Sequence, residues 1–132
     1  MTVPNSKSFQ DIALSKGYVI QDCTEMFSAY SYIEECLVAA PNEKSFQIEF
    51  YVLDNADDTK KFYNSNLSNI IETTGNSISD YSDKGNNYAK TSYFFNGKYI
   101  SIEYVENTII YVPWTDSSNK SAVEEFLKEM NY

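Results

Sequence analysis

Two runs of alternating apolar and polar residues flank Asn96-Gly97 and form the clearest structural pattern in the chain. An Asn-Gly pair between such runs is a strong local sign of a two-residue β-hairpin. Glu106-Asn107 is a candidate for a second tight turn. The pattern therefore predicts a three-stranded meander with strands at 88–95, 98–105 and 108–113.

The first part of the chain predicts a helix followed by three more strands. Apolar residues recur at helical spacing over 8–17, and Gly17 is a natural stop. Alternation over 45–53 is typical of a strand with one buried face. The other predicted strands are 18–22 and 32–40, and 24–31 is read as either a loop or a short helical turn.

Two further helices are predicted from capping residues and apolar stripes. Asp54 or Asn55 precedes one helix, and Ser117 or Ser118 precedes the last. The stretch 74–87, rich in Gly, Asn, Ser and Asp, is read as the longest loop. The order helix–three strands–helix–three strands–helix predicts an α+β fold with helices packed on an antiparallel sheet. We expect one domain over 1–132, with 1–7 as a polar, flexible leader.

Counting outward from the two tight turns predicts which residues face each other in the meander. Lys90 is placed opposite Glu103, Phe94 opposite Tyr99, and Tyr99 opposite Trp114. The resulting aromatic row of Phe94, Tyr99 and Trp114 is a candidate binding patch if it is exposed. The alternative, which we favour, is that the last helix folds over the row, because the chain enters that helix just after Trp114.

Composition narrows the classes of function. All ten basic residues are lysines, histidine is absent, and the net charge is −9. This charge argues against nucleic acid and against an anionic membrane surface as partners. Without histidine the chain lacks the commonest metal ligand and the side chain best suited to proton transfer near neutral pH. No apolar run is long enough for a membrane span, and we expect no cofactor.

Individual motifs for chemistry are weak. Cys23 and Cys36 could form a single disulfide, although two reduced cysteines packed as small hydrophobes are the preferred interpretation. Neither cysteine has a histidine base, so nucleophilic catalysis is not expected. Asp80 to Gly85 is similar to a calcium loop, but Lys84 stands at a ligand position and Thr91 where a glutamate is needed. No metal site is predicted.

Four stretches of the chain carry a resemblance to a group of bacterial domains. These stretches are Ile48-Glu49-Phe50-Tyr51, Asn87-Tyr88, Asn96-Gly97-Lys98-Tyr99 and 106–112. From Phe9 to Tyr132 the chain resembles small uncharacterised domains of Gram-positive bacteria that often follow a lipoprotein signal or a membrane anchor. Those domains often have a basic residue in the strand before the second turn, where this chain has Glu103 and Tyr104. The resemblance implies an envelope location and no particular activity.

The leading functional hypothesis is a non-enzymatic binding domain at the bacterial cell surface, with another protein or an envelope component as partner. An extracellular or envelope location is favoured, and a cytoplasmic one stays open. The first alternative is an acidic, secretion-chaperone-like dimer in the cytoplasm, which predicts a large hydrophobic interface. An enzyme is the third hypothesis, and it would require a concave pocket with convergent carboxylates and a strongly shifted pKa.

Overall fold

All strands in the described part of the chain belong to one antiparallel sheet of seven strands. The computed structural model describes residues 3–75 and 81–132. The strand order is β1-β2-β3-β7-β6-β5-β4, so an N-terminal meander and a C-terminal meander meet between β3 and β7. The strands are β1 Val19–Asp22, β2 Ile33–Ala40, β3 Ile48–Leu53, β4 Tyr81–Gly85, β5 Tyr88–Phe95, β6 Lys98–Val105 and β7 Thr108–Asp116.

Three α-helices and two 3₁₀ helices complete the described fold. They are α1 Ser6–Ser15, α2 Ala56–Thr74 and α3 Lys120–Glu129, with 3₁₀ helices at Thr24–Phe27 and Ser117–Asn119. Of the two predicted caps, Asp54 and Asn55, it is Asn55 that caps α2, since its side chain accepts a hydrogen bond from the Asp58 amide at 2.8 Å. Asn5 caps α1 in the same way, so the predicted leader was too long and the helix begins at Ser6.

The helices cover both faces of the sheet and create two hydrophobic layers. On one face, α1 and α3 bury a cluster that includes Phe9, Ala13, Phe50, Ile110, Val123 and Phe126. On the other face, α2 buries a cluster that includes Leu53, Tyr63, Ile70, Ile100, Ile102 and Ile109. A sheet with apolar side chains on both faces needs helices on both sides. The predicted α+β class with an antiparallel sheet is confirmed.

The central hairpin forms in the predicted register. Asn96 and Gly97 both adopt positive φ, 52° and 75°, as a type I′ turn requires. Lys90 is paired with Glu103, and Phe94 with Tyr99. The second tight turn, Glu106-Asn107, is also confirmed, because Val105 pairs with Thr108 across it.

The predicted pairing of Tyr99 with Trp114 is wrong by one residue. Ser101 pairs with Val112, but Tyr99 pairs with Thr115, so Pro113 and Trp114 together oppose the single residue Ile100. This is a β-bulge, and an extra residue in one strand turns every later side chain to the opposite face. The strand also continues to Asp116 and does not end at Pro113.

The predicted loop 74–87 contains a strand, so the second meander has four strands and not three. β4 pairs along β5, with Ser82 opposite Thr91 and Asp83 opposite Lys90. The rest of this predicted loop, 76–80, lies outside the described residues. Gly85 is the last residue of β4 and pairs with Tyr88, whose ring lies where a Cβ at position 85 would stand.

Candidate functional site

Five aromatic residues line an open cleft between α2 and the first 3₁₀ helix, and we call it the aromatic cleft. The cleft has a volume of about 570 Å³. Its aromatic residues come from the 3₁₀ helix and the loop after it, from β3 and from α2, and they are Phe27, Tyr30, Tyr32, Tyr51 and Phe62. Asp58, Lys61 and Asn66 of α2 supply polar groups around them. An apolar concave surface with a few polar groups is the usual form of a binding site.

The five rings support one another through edge and tilted contacts. Phe27 meets Tyr51 edge-on at 5.5 Å between ring centroids, and Tyr51 meets Phe62 at 5.2 Å. Tyr30 packs against Phe27 at 6.2 Å and against Tyr32 at 5.8 Å. These separations are typical of favourable aromatic pairs. Tyr30 nevertheless remains 49% exposed, so part of its ring is available to a partner.

Tyr51 forms the floor of the cleft, and its side chain is fixed by a hydrogen bond. It is 5% exposed, and its hydroxyl donates to a carboxylate oxygen of Glu49 on the same strand. Burial raises the pKa of Tyr51 above its usual range, and the negative charge of Glu49 raises it further. The hydroxyl therefore stays protonated and keeps donating to Glu49 throughout the physiological range.

A disulfide between Cys23 and Cys36 attaches the 3₁₀ helix to β2. Hydrogen bonds strengthen the attachment, because the Cys23 amide donates to the Cys36 carbonyl at 2.8 Å and the Cys36 amide donates to the Thr24 hydroxyl at 3.1 Å. The preferred interpretation of two reduced cysteines was wrong, and the alternative pairing is the one that the structure contains. The bond holds Phe27 close to the sheet and so shapes one wall of the aromatic cleft.

The disulfide leads to a direct chemical prediction. When the protein is purified without reductant and unfolded, a thiol-alkylating reagent should label neither cysteine. After reduction the same reagent should label both, and a protease digest should recover Cys23 and Cys36 in one cross-linked peptide only before reduction. A chain that is labelled twice without reduction would contradict the pairing.

An acidic depression adjoins the disulfide. The depression has a volume of about 630 Å³. The four carboxylates that line it belong to Asp22, Glu25, Glu34 and Glu35. The 3₁₀ helix contributes to both features, with Glu25 and Met26 in the acidic depression and Phe27 in the aromatic cleft. Hydrogen bonds from Thr24, through its side chain and its amide, lower the pKa of Asp22 and favour its charged form.

The predicted patch of Phe94, Tyr99 and Trp114 is not assembled. Tyr99 is 2% exposed and lies in the cluster beneath α1 and α3, so the preferred interpretation that the last helix covers this row is confirmed for Tyr99. The Phe94 ring lies 5.5 Å from that of Tyr99, and the Lys120 ammonium lies 4.7 Å above it. Trp114 packs in the cluster on the α2 side, because the bulge turns it to the opposite face.

Glu103 is a buried carboxylate that the sequence analysis does not predict to be functional. Its side chain is 9% exposed, and no group in the described structure donates a hydrogen bond to its Oε2. Burial is the main reason that the pKa of Glu103 is raised to about 7. The positive charge of Lys90 lowers this pKa, and the negative charge of Glu124 raises it. A carboxyl group in a pocket with such a pKa is what the enzymatic hypothesis requires, so the expectation of a non-enzymatic protein stays a prediction.

The described residues, 3–75 and 81–132, contain neither a cluster of metal ligands nor a membrane-spanning helix. No group of three or more acidic or cysteine side chains there could hold a metal ion. Ser82 to Gly85 of the calcium-like segment lie in β4, and Asp80 lies outside the described residues. None of the helices described is long and apolar enough to cross a membrane.

Comparison of the chain with family models, with curated proteins and with solved structures gave no match. The resemblance to Gram-positive envelope domains therefore stays a prediction.

Proposed function

We propose that this protein is a non-enzymatic binding domain of the bacterial cell envelope, and that it binds a basic segment of another protein in the aromatic cleft. The observation that carries the proposal is that one 3₁₀ helix lines both an open cleft of five aromatic residues and a depression of four carboxylates. An apolar side chain of the partner would pack on the exposed ring of Tyr30, while lysine or arginine side chains would meet the acidic depression.

Aromatic side chains suit such a role for a physical reason. Tyrosine offers a large contact area and loses little conformational entropy when it is immobilised, so it is common at the energetic centre of interfaces. The ring contacts within the cleft already restrict Phe27, Tyr30 and Tyr51 before a partner arrives. Preorganisation of this kind lowers the cost of binding.

Charge supports the choice of a basic partner. The net charge of the chain is −9, and four carboxylates line the acidic depression, which shares the 3₁₀ helix with the cleft. Complementary charge accelerates association and discriminates against acidic competitors, and its effect weakens as salt is added. Binding should therefore weaken as the salt concentration rises.

The disulfide supports the proposed location. Disulfides persist in oxidising environments such as the cell surface, and they are rare in a reducing cytosol. The Cys23–Cys36 bond therefore favours an extracellular or envelope setting over the alternative of a secretion-chaperone-like dimer in the cytoplasm.

Three matched peptides would test the proposal by titration calorimetry. The first contains lysines around a central pair of phenylalanines, the second has glutamates in place of the lysines, and the third has serines in place of the phenylalanines. The first peptide should bind, and each change should weaken binding by about tenfold or more, since it removes one of the two complementary features. A protein that binds none of the peptides, or all three equally, would contradict the proposal.

A pair of protein variants locates the binding surface. Tyr30→Ala should weaken binding of the lysine-phenylalanine peptide by about tenfold, as expected for an aromatic residue at the centre of an interface. Phe94→Ala is the matched control, because Phe94 is 38% exposed and Tyr30 is 49% exposed, yet Phe94 packs against Tyr99 away from the cleft. If Phe94→Ala weakens binding and Tyr30→Ala does not, the aromatic cleft is not the site.

A further inference from the structure

A small pocket on the opposite side of the sheet from α2 contains two carboxylates and two ammonium groups. It lies between β5, β6 and α3 and has a volume of about 220 Å³. Glu103 of β6 and Glu124 of α3 supply the carboxylates, and Lys90 of β5 and Lys128 of α3 supply the ammonium groups. This pocket is separate from the aromatic cleft, which lies on the α2 side.

Glu103 is the unusual member of this pocket. It is nine-tenths buried, and its Oε2 has no hydrogen-bond donor among the described residues. Lys90 is its cross-strand neighbour, but no ion pair joins their charged atoms within 4.0 Å in the described structure. A buried polar atom without a partner is costly, since the lost solvation is not replaced. A donor that reached the carboxylate of Glu103 from the pocket would therefore gain a strong, charge-assisted hydrogen bond.

The size and charge of the pocket define the ligand. The volume of about 220 Å³ is smaller than the roughly 300–1,000 Å³ of pockets that hold drug-sized ligands. An ammonium group on the ligand would supply a donor to the carboxylate of Glu103. A carboxylate on the same molecule would then meet Lys90 and Lys128, which line the same pocket as Glu103. The hydroxyl of Tyr99 and that of Ser92 add neutral hydrogen-bonding groups.

We propose that this pocket binds a small zwitterion of the α-amino acid type, with its ammonium group on Glu103 and its carboxylate towards Lys90 and Lys128. The site is independent of the aromatic cleft. The pocket selects a small molecule that has both an ammonium group and a carboxylate. A compound with only one of these two groups therefore binds more weakly.

A small zwitterion and two compounds that each lack one of its charged groups test the two charges separately. They are L-alanine, ethylamine and propionate, and each is added to the isotope-labelled protein while backbone amide signals are followed by NMR at pH 8. L-alanine should shift the signals of residues around Glu103, ethylamine should bind about tenfold more weakly, and propionate should bind least. Equal binding of all three, or no shift up to the solubility limit of L-alanine, would overturn the proposal.

Glu103→Gln tests the role of the carboxylate, because glutamine keeps the size of the side chain and removes its charge. L-alanine binding should fall by about tenfold or more. Glu72→Gln on α2 removes an equal charge from an exposed position on the other side of the sheet and should leave the affinity unchanged. Lys128→Gln changes only an exposed side chain and should weaken L-alanine more than ethylamine. If Glu103→Gln and Lys128→Gln both bind L-alanine as the natural chain does, the site is elsewhere.

Affinity should also depend on pH. The groups that face Glu103 are Lys90 from β5, Tyr99 from β6, Glu124 and Lys128 from α3, and Tyr132 at the chain end. The ammonium group requires ionised Glu103, whose pKa is about 7, so the affinity for L-alanine should fall by up to about tenfold for each pH unit below 7. Glu103→Gln should abolish this dependence. A pH dependence that persists in Glu103→Gln would assign it to another group and contradict the proposal.

Discussion

Replacing Phe126 with alanine should lower the free energy of unfolding by about 4 kcal/mol, as expected for a buried phenylalanine whose removal leaves a cavity. Phe126 is fully buried where α3 meets α1 and the sheet. Its ring meets that of Phe9 edge-on at 5.4 Å and stacks with that of Tyr18 at 6.1 Å. Urea unfolding followed by the fluorescence of Trp114, the single tryptophan, would measure the change as a lower midpoint at an unchanged slope.

Phe94→Ala is the control for this measurement. Phe94 is 38% exposed, so its loss leaves no enclosed cavity and should cost less than about 1 kcal/mol. The predicted aromatic row treated Phe94 as equivalent to Tyr99, which is 2% exposed in the structure. A cost for Phe94→Ala as large as that for Phe126→Ala would mean that the helical layer over this face is different from the one described.

Local patterns predicted the elements and the central hairpin, because each of these depends on residues close in sequence. The Asn96-Gly97 turn needs only two positive φ angles and the alternation beside it, and both are visible in the sequence. The acidic first turn predicts a cap at Asp54 or Asn55, and the structure shows that Asn55 is the cap. The α+β class followed from the order of elements alone.

The position of Trp114 could not be predicted by counting, because the counting assumed an uninterrupted ladder. Pro113 has no amide proton, and proline within a strand is typical of an edge or a bulge. Pro113 is therefore a signal for the bulge, whereas the sequence analysis predicts that the strand ends there. The ladder instead resumes after the bulge with Tyr99 opposite Thr115, which separates Trp114 from the other two residues of the predicted row.

β4 was missed for a different reason. Ser82 to Gly85 are polar and exposed at an edge of the sheet, so they show no alternation of apolar and polar residues. Their strand structure comes from pairing with β5, a tertiary contact that a local pattern does not contain.

The aromatic cleft could not be predicted because its residues are assembled from distant parts of the chain. Tyr51 and Phe62 were assigned to a strand and a helix, whereas Phe27 lies in a stretch that was read as either a loop or a helical turn. The disulfide brings Phe27 to the sheet, and the pairing of the two cysteines was itself left open. The burial of Glu103 likewise depends on α3, since β6 alone does not show which face is covered.

The stability of the protein should fall as the pH rises from about 4.5 to about 7, and Glu103 is the reason. The pKa of Glu103 is about 7 in the folded chain, whereas in the unfolded chain it returns to about 4.5. Between these values the folded state holds a proton that the unfolded state has released, so a higher pH favours unfolding. At about 1.4 kcal/mol for each pH unit, the loss due to this group is about 3 kcal/mol.

The difference between the natural chain and Glu103→Gln isolates this effect from that of the other carboxyl groups. Glutamine cannot ionise, so the variant should be about as stable as the natural chain at pH 4.5 and more stable by about 3 kcal/mol at pH 8. Hydrogen bonds from Ser118 to Asp116 lower the pKa of that carboxyl, so it acts in the opposite direction, but it is present in both proteins and cancels. Urea unfolding of the natural chain and of Glu103→Gln at pH 4.5 and pH 8 measures this difference in the free energy of unfolding. If their difference in stability does not grow with pH, the buried carboxyl of Glu103 is already stabilised by a partner in solution, and the protein does not need an external donor at this pocket.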